Sequence, residues 1–441
     1  MADLIQTAAD RLFMPWVVIV LMGSGLFLSI RFRFVQVAHF REAARAMLGR
    51  KVTGDGALTP FQAFMTALAA SIGTGNIAGV ATAIVSGGPG ALFWIWCYGF
   101  VAMAIKFAEA VLGLKFRIMR ADGVVSSGPM YYLRDGLKSP ALAWIYALVA
   151  GVAALTTTPF TQPNSIALVL NTQFAWPKWI VGIVLAVLTW AVIIGGIKSI
   201  GRAAEKLSPL KVGLYLVGGL VVIVTHASRI PDVLAQVFRE AFSAQAAVGT
   251  AAGMGVMVAL RYGLARGIYA NEAGYGTAAV AYGTAASTDP RQQGLNAIME
   301  VFIVSFVTST ISAMVILLTG AWQSGQSSSA AVAIAFNASM PVVGGWIVAL
   351  CVFLFGYTTL IGWAYYGEQF LEYLLGRSIT LPYRWIYCIL IPFGATARVD
   401  LVWALGDLMN VLQVFPNMIG LIGLSAFVAL AARGSGKPQS Q

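Results

Sequence analysis

Most of the chain consists of apolar runs of about twenty residues, separated by short polar or basic segments. Runs of this length are typical of helices that cross a bilayer, and the period-two alternation of a membrane β-barrel is absent from the sequence. The pattern predicts an all-α membrane protein with one transmembrane domain, residues 1–441, and eleven helices. They fall near 13–31, 59–86, 91–116, 141–170, 178–197, 208–226, 240–268, 295–320, 343–372, 383–398 and 410–432.

Composition agrees with lipid as the solvent. The chain is 59% hydrophobic and 10% charged, whereas soluble domains carry about a quarter charged residues. The net charge of +11 is interpreted as basic loops beside a membrane, not as a nucleic-acid surface. A further apolar stretch, 329–340, is too short to span and is interpreted as an extracellular re-entrant or cap helix.

Basic residues are distributed unequally between the two sides of the predicted helices. One side has Arg31, Arg33, Arg41, Arg45, Arg50, Lys51, Lys115, Arg117, Arg120, Arg134, Lys138, Lys198, Arg202, Lys206, Lys211, Arg266, Arg291, Arg377, Arg384, Arg433 and Lys437. The other side has only Arg11, Lys178, Arg229, Arg239 and Arg398. Because basic loops stay in the cytoplasm, the N-terminus is predicted outside and the C-terminus inside.

Two predicted helices contain glycine clusters. Helix 2 has Ser71-Ile-Gly-Thr-Gly-Asn76 followed by Gly79, and helix 7 has Gly249 and then Gly253-Met-Gly255. With 13–31 as an extra helix, 59–226 and 240–432 become two five-helix halves that each open with a glycine-interrupted helix. This favours an inverted-repeat transporter with its site at the membrane midplane. The alternative is that the glycines only allow close helix packing.

A broken helix offers free backbone groups to a ligand. The free N–H groups of Gly73, Thr74, Gly75 and Asn76 could bind a carboxylate without any arginine. Free carbonyls and nearby hydroxyls suit a hard cation such as Na+. The hydroxyls of Thr358 and Thr359 in helix 9 could complete such an ion site, or could bond back to their own helix.

Two further polar or aromatic positions are candidates for a binding site. Gln162 lies beside Pro163 in helix 4 and needs a partner for its amide. Trp363 in helix 9 could close one wall of a small pocket, although tryptophan also serves packing and interfacial belts.

Other charged and polar residues are assigned structural roles. Lys106 and Glu109, three residues apart, are expected to pair on one helix as a cytoplasmic tether. The segment Asn271-Glu-Ala-Gly-Tyr-Gly276 is interpreted as a gate or hinge loop and not as a substrate contact. The sequence has no P-loop, no HExxH, no GxSxG and no Cys/His metal spacing, so we expect no enzyme and no ATP-driven pump.

Several motifs together resemble one known family, the alanine or glycine:cation symporters, also called sodium:alanine symporters. They occur in family order over about residues 60–425 of this chain. They are Gly73-Thr-Gly-Asn-Ile-Ala-Gly79, Gly87-Gly-Pro-Gly-Ala91, Phe93-Trp94, Trp96, Lys106-Phe-Ala-Glu109, Gly128-Pro-Met-Tyr-Tyr132, Arg266-Gly267, Asn271-Glu-Ala-Gly274, Gln293-Gly294, Gly362-Trp363, Tyr365-Tyr-Gly-Glu368 and Pro416-Asn417.

The resemblance implies a LeuT-type 5+5 inverted repeat plus one extra N-terminal helix, with helices 2 and 7 discontinuous. It implies that Gly73, Thr74, Gly75 and Asn76 bind the substrate carboxylate. The remaining wall would comprise Gln162, Gly253, Met254 and Trp363. A Na+ site would comprise the carbonyls of Ala69 and Ile72 with the hydroxyls of Thr358 and Thr359.

The function that the resemblance implies is symport of alanine and/or glycine with Na+ across a bacterial cytoplasmic (inner) membrane. Met254 and Pro163 depart from the family pattern as we know it, so the size of the substrate side chain stays open. One alternative keeps the fold and replaces Na+ with H+; another is a channel or a substrate sensor. Membrane lipid is the expected surrounding, no nucleic-acid partner is expected, and a monomer is one option for the assembly.

Overall fold

A computed structural model of the chain describes residues 7, 11–49, 51–120, 124–243, 255–326 and 328–434, without the side chains of 399 and 400. The longer helices are α1 (Phe13–Arg31), α2 (Pro60–Ser71), α3 (Ala78–Gly87), α4 (Ala91–Lys115), α5 (Pro140–Thr156), α6 (Thr158–Phe174), α7 (Lys178–Ile193), α8 (Gly196–Thr225), α9 (Ile230–Ala241), α10 (Gly255–Asn271), α11 (Thr277–Gly283), α12 (Pro290–Thr319), α13 (Ser328–Ser339), α14 (Val343–Leu375), α15 (Thr380–Thr396), α16 (Val399–Gly423) and α17 (Ser425–Ala432).

The remaining elements are short. The helical turns are Val35–Ala38, Phe40–Ala46, Thr74–Asn76, Pro129–Tyr131, Tyr132–Gly136, Ala227–Arg229, Ala321–Gln323 and Arg377–Ile379. Two strands, β1 (Ile118–Met119) and β2 (Val125–Ser126), form a small antiparallel ribbon.

The helices suit a lipid environment. Among the described residues, seven helices are long and apolar enough to cross a bilayer, and the bent pair Pro60–Ser71 with Thr74–Gly87 makes an eighth. Apolar side chains lie on the outer surface, and Val187, Val217 and Val224 are all more than 60% exposed. An outer surface of this kind is stable in hydrocarbon. The prediction of an all-α membrane protein is therefore confirmed, whereas eleven spans with two discontinuous helices stay a prediction.

Two helices begin earlier than the sequence predicts. Helix α8 begins at Gly196 instead of near 208, and α16 begins at Val399 instead of near 410. The predicted start of α8 followed from the apolar run, and the basic residues Lys198, Arg202, Lys206 and Lys211 were counted on the cytoplasmic side. Lys211, one of those residues, instead lies inside α8 with no exposed surface.

The first helix interruption follows α2. Thr59 begins α2 with a capping box, and the helix ends at Ser71. Gly73 is extended, residues 74–76 make a single tight turn, and the axis bends by 61° before α3. Glycine and asparagine favour such a break because both stabilise a helix interior poorly.

A second interruption separates α10 from α11. The backbone of Glu272, Gly274 and Gly276 has φ of 55°, 91° and 86°, a left-handed conformation that ends a helix. This segment, interpreted from the sequence as a gate or hinge loop, is buried in the structure, and its role as a gate or hinge stays a prediction. The break that was predicted around Gly253 and Met254 lies outside the described residues.

The two interrupted helices pack against each other. Helix α11 packs against α2, and α10 packs against α3, so the first half of each contacts the second half of the other. Helix α4 packs behind both α10 and α11. Both breaks therefore lie together in the interior.

The close packing of α4 against α11 depends on Gly113. A Cβ at this position would lie 2.4 Å from the Ala279 carbonyl oxygen, whereas a Cβ at Gly213 in α8 would have no atom within 4 Å. We expect Gly113→Ala to lower the free energy of unfolding by about 1–3 kcal/mol, since backbone would have to move.

The matched control is Gly213→Ala, which should leave stability unchanged or raise it by about 0.5–1 kcal/mol. Thermal unfolding of the detergent-purified variants measures both effects. Equal unfolding temperatures for the two variants would contradict the described packing of α4 on α11.

Candidate functional site

A small cavity lies between the two helix breaks. Its volume is about 20 Å³, close to that of one water molecule, so an amino acid could enter only if the walls moved apart. The lining residues are Ala70, Ser71, Gly73, Gly75, Thr157, Thr158, Gln162, Tyr269, Glu272, Tyr275, Thr359, Trp363 and Asn410.

Backbone of the first break forms one wall of the cavity. A Cβ on Gly73 would lie 2.7 Å from the Thr359 hydroxyl oxygen, and a Cβ on Gly75 would lie 2.6 Å from the Tyr269 ring. Both positions therefore require glycine for the neighbouring side chains to approach this closely.

Gln162 binds the same break through Thr74. The Thr74 backbone N–H and hydroxyl donate to Gln162 Oε1 at 3.0 and 2.9 Å. Gln162 thus finds the amide partner that the sequence required, and its oxygen lies where a ligand carboxylate oxygen could accept the same hydrogen bonds.

The structure brings some of the predicted substrate residues to the cavity. The residues that line it are Gly73, Gly75, Gln162 and Trp363. Thr74 does not line it but is hydrogen-bonded to Gln162. Asn76 does not line the cavity. Its amide donates to the Ser71 carbonyl at 3.0 Å and so bridges the break. The predicted wall residues Gly253 and Met254 are outside the described ranges.

Glu272 was missed by the sequence analysis as a cavity residue. Its carboxylate accepts from Trp363 Nε1 at 2.5 Å and from the Thr277 hydroxyl at 2.9 Å, and only 5% of the residue is exposed. The glycines at 274 and 276 were the available signal for a break, but the basic residue before them suggested a loop. The cavity wall therefore contains a carboxylate.

Aromatic and charged side chains cover another side of the cavity. The Tyr269 ring lies 5.3 Å from that of Trp403, and the Arg266 guanidinium lies 4.8 Å from the same Trp403 ring. Arg266 also pairs with Asp407 at 3.5 Å. These contacts connect α10 to α16 beside Tyr269, which lines the cavity.

The four residues predicted as Na+ ligands do meet, but a lysine lies among them. Lys211 Nζ donates to the Ala69 and Ile72 carbonyls at 3.1 and 2.6 Å and to the Thr358 hydroxyl at 2.5 Å. The Thr359 hydroxyl donates to the Ala70 carbonyl at 2.8 Å and contacts the Ala69 carbonyl at 3.2 Å. The predicted Na+ ligand set stays a prediction, and the Lys211 amine is hydrogen-bonded to three of its four members.

A buried ion pair lies beside the end of α2. Lys106 Nζ contacts Glu300 Oε1 at 2.5 Å, and the Ser71 hydroxyl donates to the same oxygen. The Tyr282 hydroxyl donates to the other Glu300 oxygen at 3.0 Å. The expected pairing of Lys106 with Glu109 is wrong, since Lys106 pairs across to α12.

Glu109 stabilises the second break instead. Its carboxylate accepts from the backbone N–H groups of Gly274 and Gly276 at 2.9 and 3.1 Å, and from the Asn417 amide at 2.9 Å. The Tyr98 hydroxyl donates to the Ala273 carbonyl at 2.8 Å. Side chains from α4 and α16 thus replace the hydrogen bonds that the helix interruption removes.

Comparison with known proteins identifies the family. A family model described as "Sodium:alanine symporter family" matches residues 1–434. The chain belongs to the sodium:alanine symporter family. This is a family of transporters and not of enzymes, and the chain is a multi-pass membrane protein of this family.

Two curated relatives of this chain match nearly its full length. A Methanococcus maripaludis protein named "Sodium/alanine symporter AgcS" is 38% identical, over 97% of this chain and 95% of the relative. A Bacillus subtilis protein named "Amino-acid carrier protein AlsT" is 33% identical, over 92% of this chain and 86% of the relative.

A solved structure shares the fold. The crystal structure of MhsT in complex with L-phenylalanine superposes with a TM-score of 0.63, covering 88% of this chain and 94% of that one, at 13% identity. At this identity the match shows the fold alone. This member of the sodium:alanine symporter family therefore has a LeuT-type fold.

The buried ion pair beside α2 gives a test of the site's architecture. Lys106→Met should lower the free energy of unfolding by about 3–5 kcal/mol, because it leaves the Glu300 carboxylate buried without its cation. Thermal unfolding of the purified protein measures the loss. The double variant Lys106→Met/Glu300→Gln should be more stable than Lys106→Met alone. A double variant as unstable as the sum of its two single changes would contradict the pairing.

Proposed function

We propose that this chain transports a small neutral amino acid, alanine or glycine, in symport with a cation across the bacterial cytoplasmic membrane. The observation that carries the proposal is the cavity between two interrupted helices, with Gly73 and Gly75 on one wall and the Glu272 carboxylate on another. The family and the names of the two relatives support an amino acid as cargo. The proposed orientation has the N-terminus outside and the C-terminus inside.

A zwitterion suits the charges of this cavity. Its carboxylate would accept from the backbone at residues 73–75 and from the Thr74 hydroxyl, in place of the Gln162 oxygen. Its ammonium would face the Glu272 carboxylate, which has lone pairs left beyond the two hydrogen bonds it accepts. Trp363 and Tyr269 leave little width for a side chain, which favours alanine and glycine.

Transport would proceed by alternating access. Residues 59–226 and 240–432 would be the two repeats, with 13–31 as the extra helix. One group of helices would rock against the other, and the cavity would open to each side in turn. At a membrane potential of ~100 mV, one cotransported cation supplies about 2.3 kcal/mol, which corresponds to roughly forty-fold accumulation of a neutral zwitterion.

Na+ is the proposed coupling ion, because the family description and the name of the archaeal relative both include sodium. The alternative is H+, with the same fold and the same cargo. We place the transported Na+ elsewhere than at the predicted ligand set, because the Lys211 amine hydrogen-bonds to the Ala69 and Ile72 carbonyls.

Uptake into proteoliposomes tests the proposed function. Radiolabelled alanine should accumulate when an inward Na+ gradient is applied at fixed pH, and excess glycine should block it. If only a proton gradient drives accumulation, the coupling ion is H+ instead of Na+, and alanine remains the substrate. An absence of alanine uptake under both gradients, by protein that is shown to be folded and inserted in the bilayer, would contradict the proposed substrate.

Gly73 gives a test of the cavity as the substrate site. In Gly73→Ala, the new Cβ would lie 2.7 Å from the Thr359 oxygen and 3.1 Å from Gln162 Oε1, inside the cavity wall. We expect alanine uptake to fall more than about tenfold, since the substrate carboxylate would lose its approach to the backbone.

The control for Gly73→Ala is Gly79→Ala in α3, where the nearest atom to a new Cβ is 3.5 Å away. This variant should transport alanine within about twofold of the wild type. If Gly73→Ala also transports normally and is folded, alanine does not bind where we propose.

A further inference from the structure

The amine of Lys211 has an environment typical of a bound cation. The residue has no exposed surface, and Nζ lies 2.5–3.1 Å from the oxygen atoms of Ala69, Ile72 and Thr358. The Phe355 ring centre lies 5.3 Å from the same nitrogen, within the range of a cation–π contact.

The hydrogen bonds of Lys211 match a charged ammonium. The two backbone carbonyls can only accept, and the Thr358 hydroxyl uses its own hydrogen to donate to the Phe355 carbonyl at 3.1 Å. All three neighbours therefore accept from Nζ. An ammonium has three donors and no acceptor, so this form satisfies every partner.

The carbonyls at the end of α2 are all bound by side chains of the protein. Residues 69–72 lie at the point where the break removes the regular helical acceptors. Lys211 binds the first and the last of these carbonyls, Thr359 donates to the second, and the Asn76 amide donates to the third. The two carbonyls of the predicted Na+ site are thus the two that Lys211 binds.

A cation is favourable at this place for a general reason. The C-terminal end of a helix carries partial negative charge, and α2 ends in the protein interior, where Ser71 and Ile72 are buried. A bound ion or a tethered ammonium can supply the compensating charge. Both together would place two like charges within a few ångströms in a buried space, which is unfavourable.

We infer that the Lys211 ammonium is a built-in cation that replaces Na+ at the break between α2 and α3, so that this site binds no Na+. The break then keeps its conformation without a transported ion at that position. The inference rests on the proposed function only in assigning this site a role in a transport cycle. The occupancy of the site by the Lys211 ammonium does not depend on which substrate is transported.

Direct Na+ binding tests the inference without any substrate. The purified full-length protein would be titrated with radioactive Na+ in a potassium buffer. Lys211→Ala removes the ammonium and leaves space among the three oxygens, so we expect it to bind about one Na+ per chain more than the wild type. Lys211→Met is the matched control, since it removes the charge but still fills the space, and it should gain no Na+.

Thr358→Val gives a second test. As a single change, with Lys211 intact, it should leave Na+ binding unchanged. Combined with Lys211→Ala, it should abolish the additional Na+ that Lys211→Ala binds. Equal Na+ binding by Lys211→Ala and wild type would overturn the inference. So would weaker Na+ binding in Thr358→Val alone, and this second result does not require Lys211→Ala to fold.

Alanine binding, measured in parallel, separates the two proposals. Wild-type protein is titrated with radiolabelled alanine in Na+ buffer and in N-methylglucamine buffer, and binding in the Na+ buffer supports the proposed substrate whatever its ion dependence, since a coupling Na+ would bind elsewhere than at Lys211. An absence of alanine binding in both buffers would count against the proposed substrate. It would leave the Na+ result to decide the role of Lys211.

Discussion

Where a helix is interrupted inside a membrane protein, the backbone N–H and C=O groups that lose their helical hydrogen bonds need partners within the protein, because hydrocarbon offers none. This constraint organises the centre of the molecule. The first break is satisfied by Lys211, Thr359 and Asn76, which together bind the four carbonyls that α2 leaves free. The second break is satisfied by Glu109 from α4, which binds two freed N–H groups. The helices around the breaks hold these side chains in place.

The same constraint explains why so many charged residues are buried in a chain that is only 10% charged. Lys106 and Glu300 compensate each other beside the end of α2, and Lys211 compensates that end itself. Glu272 differs from these residues because it lines the cavity. The carboxylate of Glu272 is therefore available to a ligand, whereas the other charges maintain the shape of the cavity.

The sequence predicted the features that depend on local pattern. Apolar runs predicted the helices, and the glycine cluster at residues 73–75 drew attention to the backbone that forms the cavity wall. The partner of a buried charge could not be predicted, because Lys106 and Glu300 are distant in sequence and meet only in the folded chain. Lys211 was assigned to a basic loop for the same reason. A lone lysine before an apolar run resembles a cytoplasmic flank until its oxygen partners are known.

The most direct test of the account is an experimental structure of the protein with alanine bound, determined in the presence of Na+. The account predicts alanine between the two breaks, with its carboxylate at the backbone of residues 73–75 and its ammonium toward Glu272. It also predicts Lys211 Nζ between the carbonyls of Ala69 and Ile72. Alanine bound elsewhere, or Lys211 displaced from those carbonyls by an ion, would contradict it.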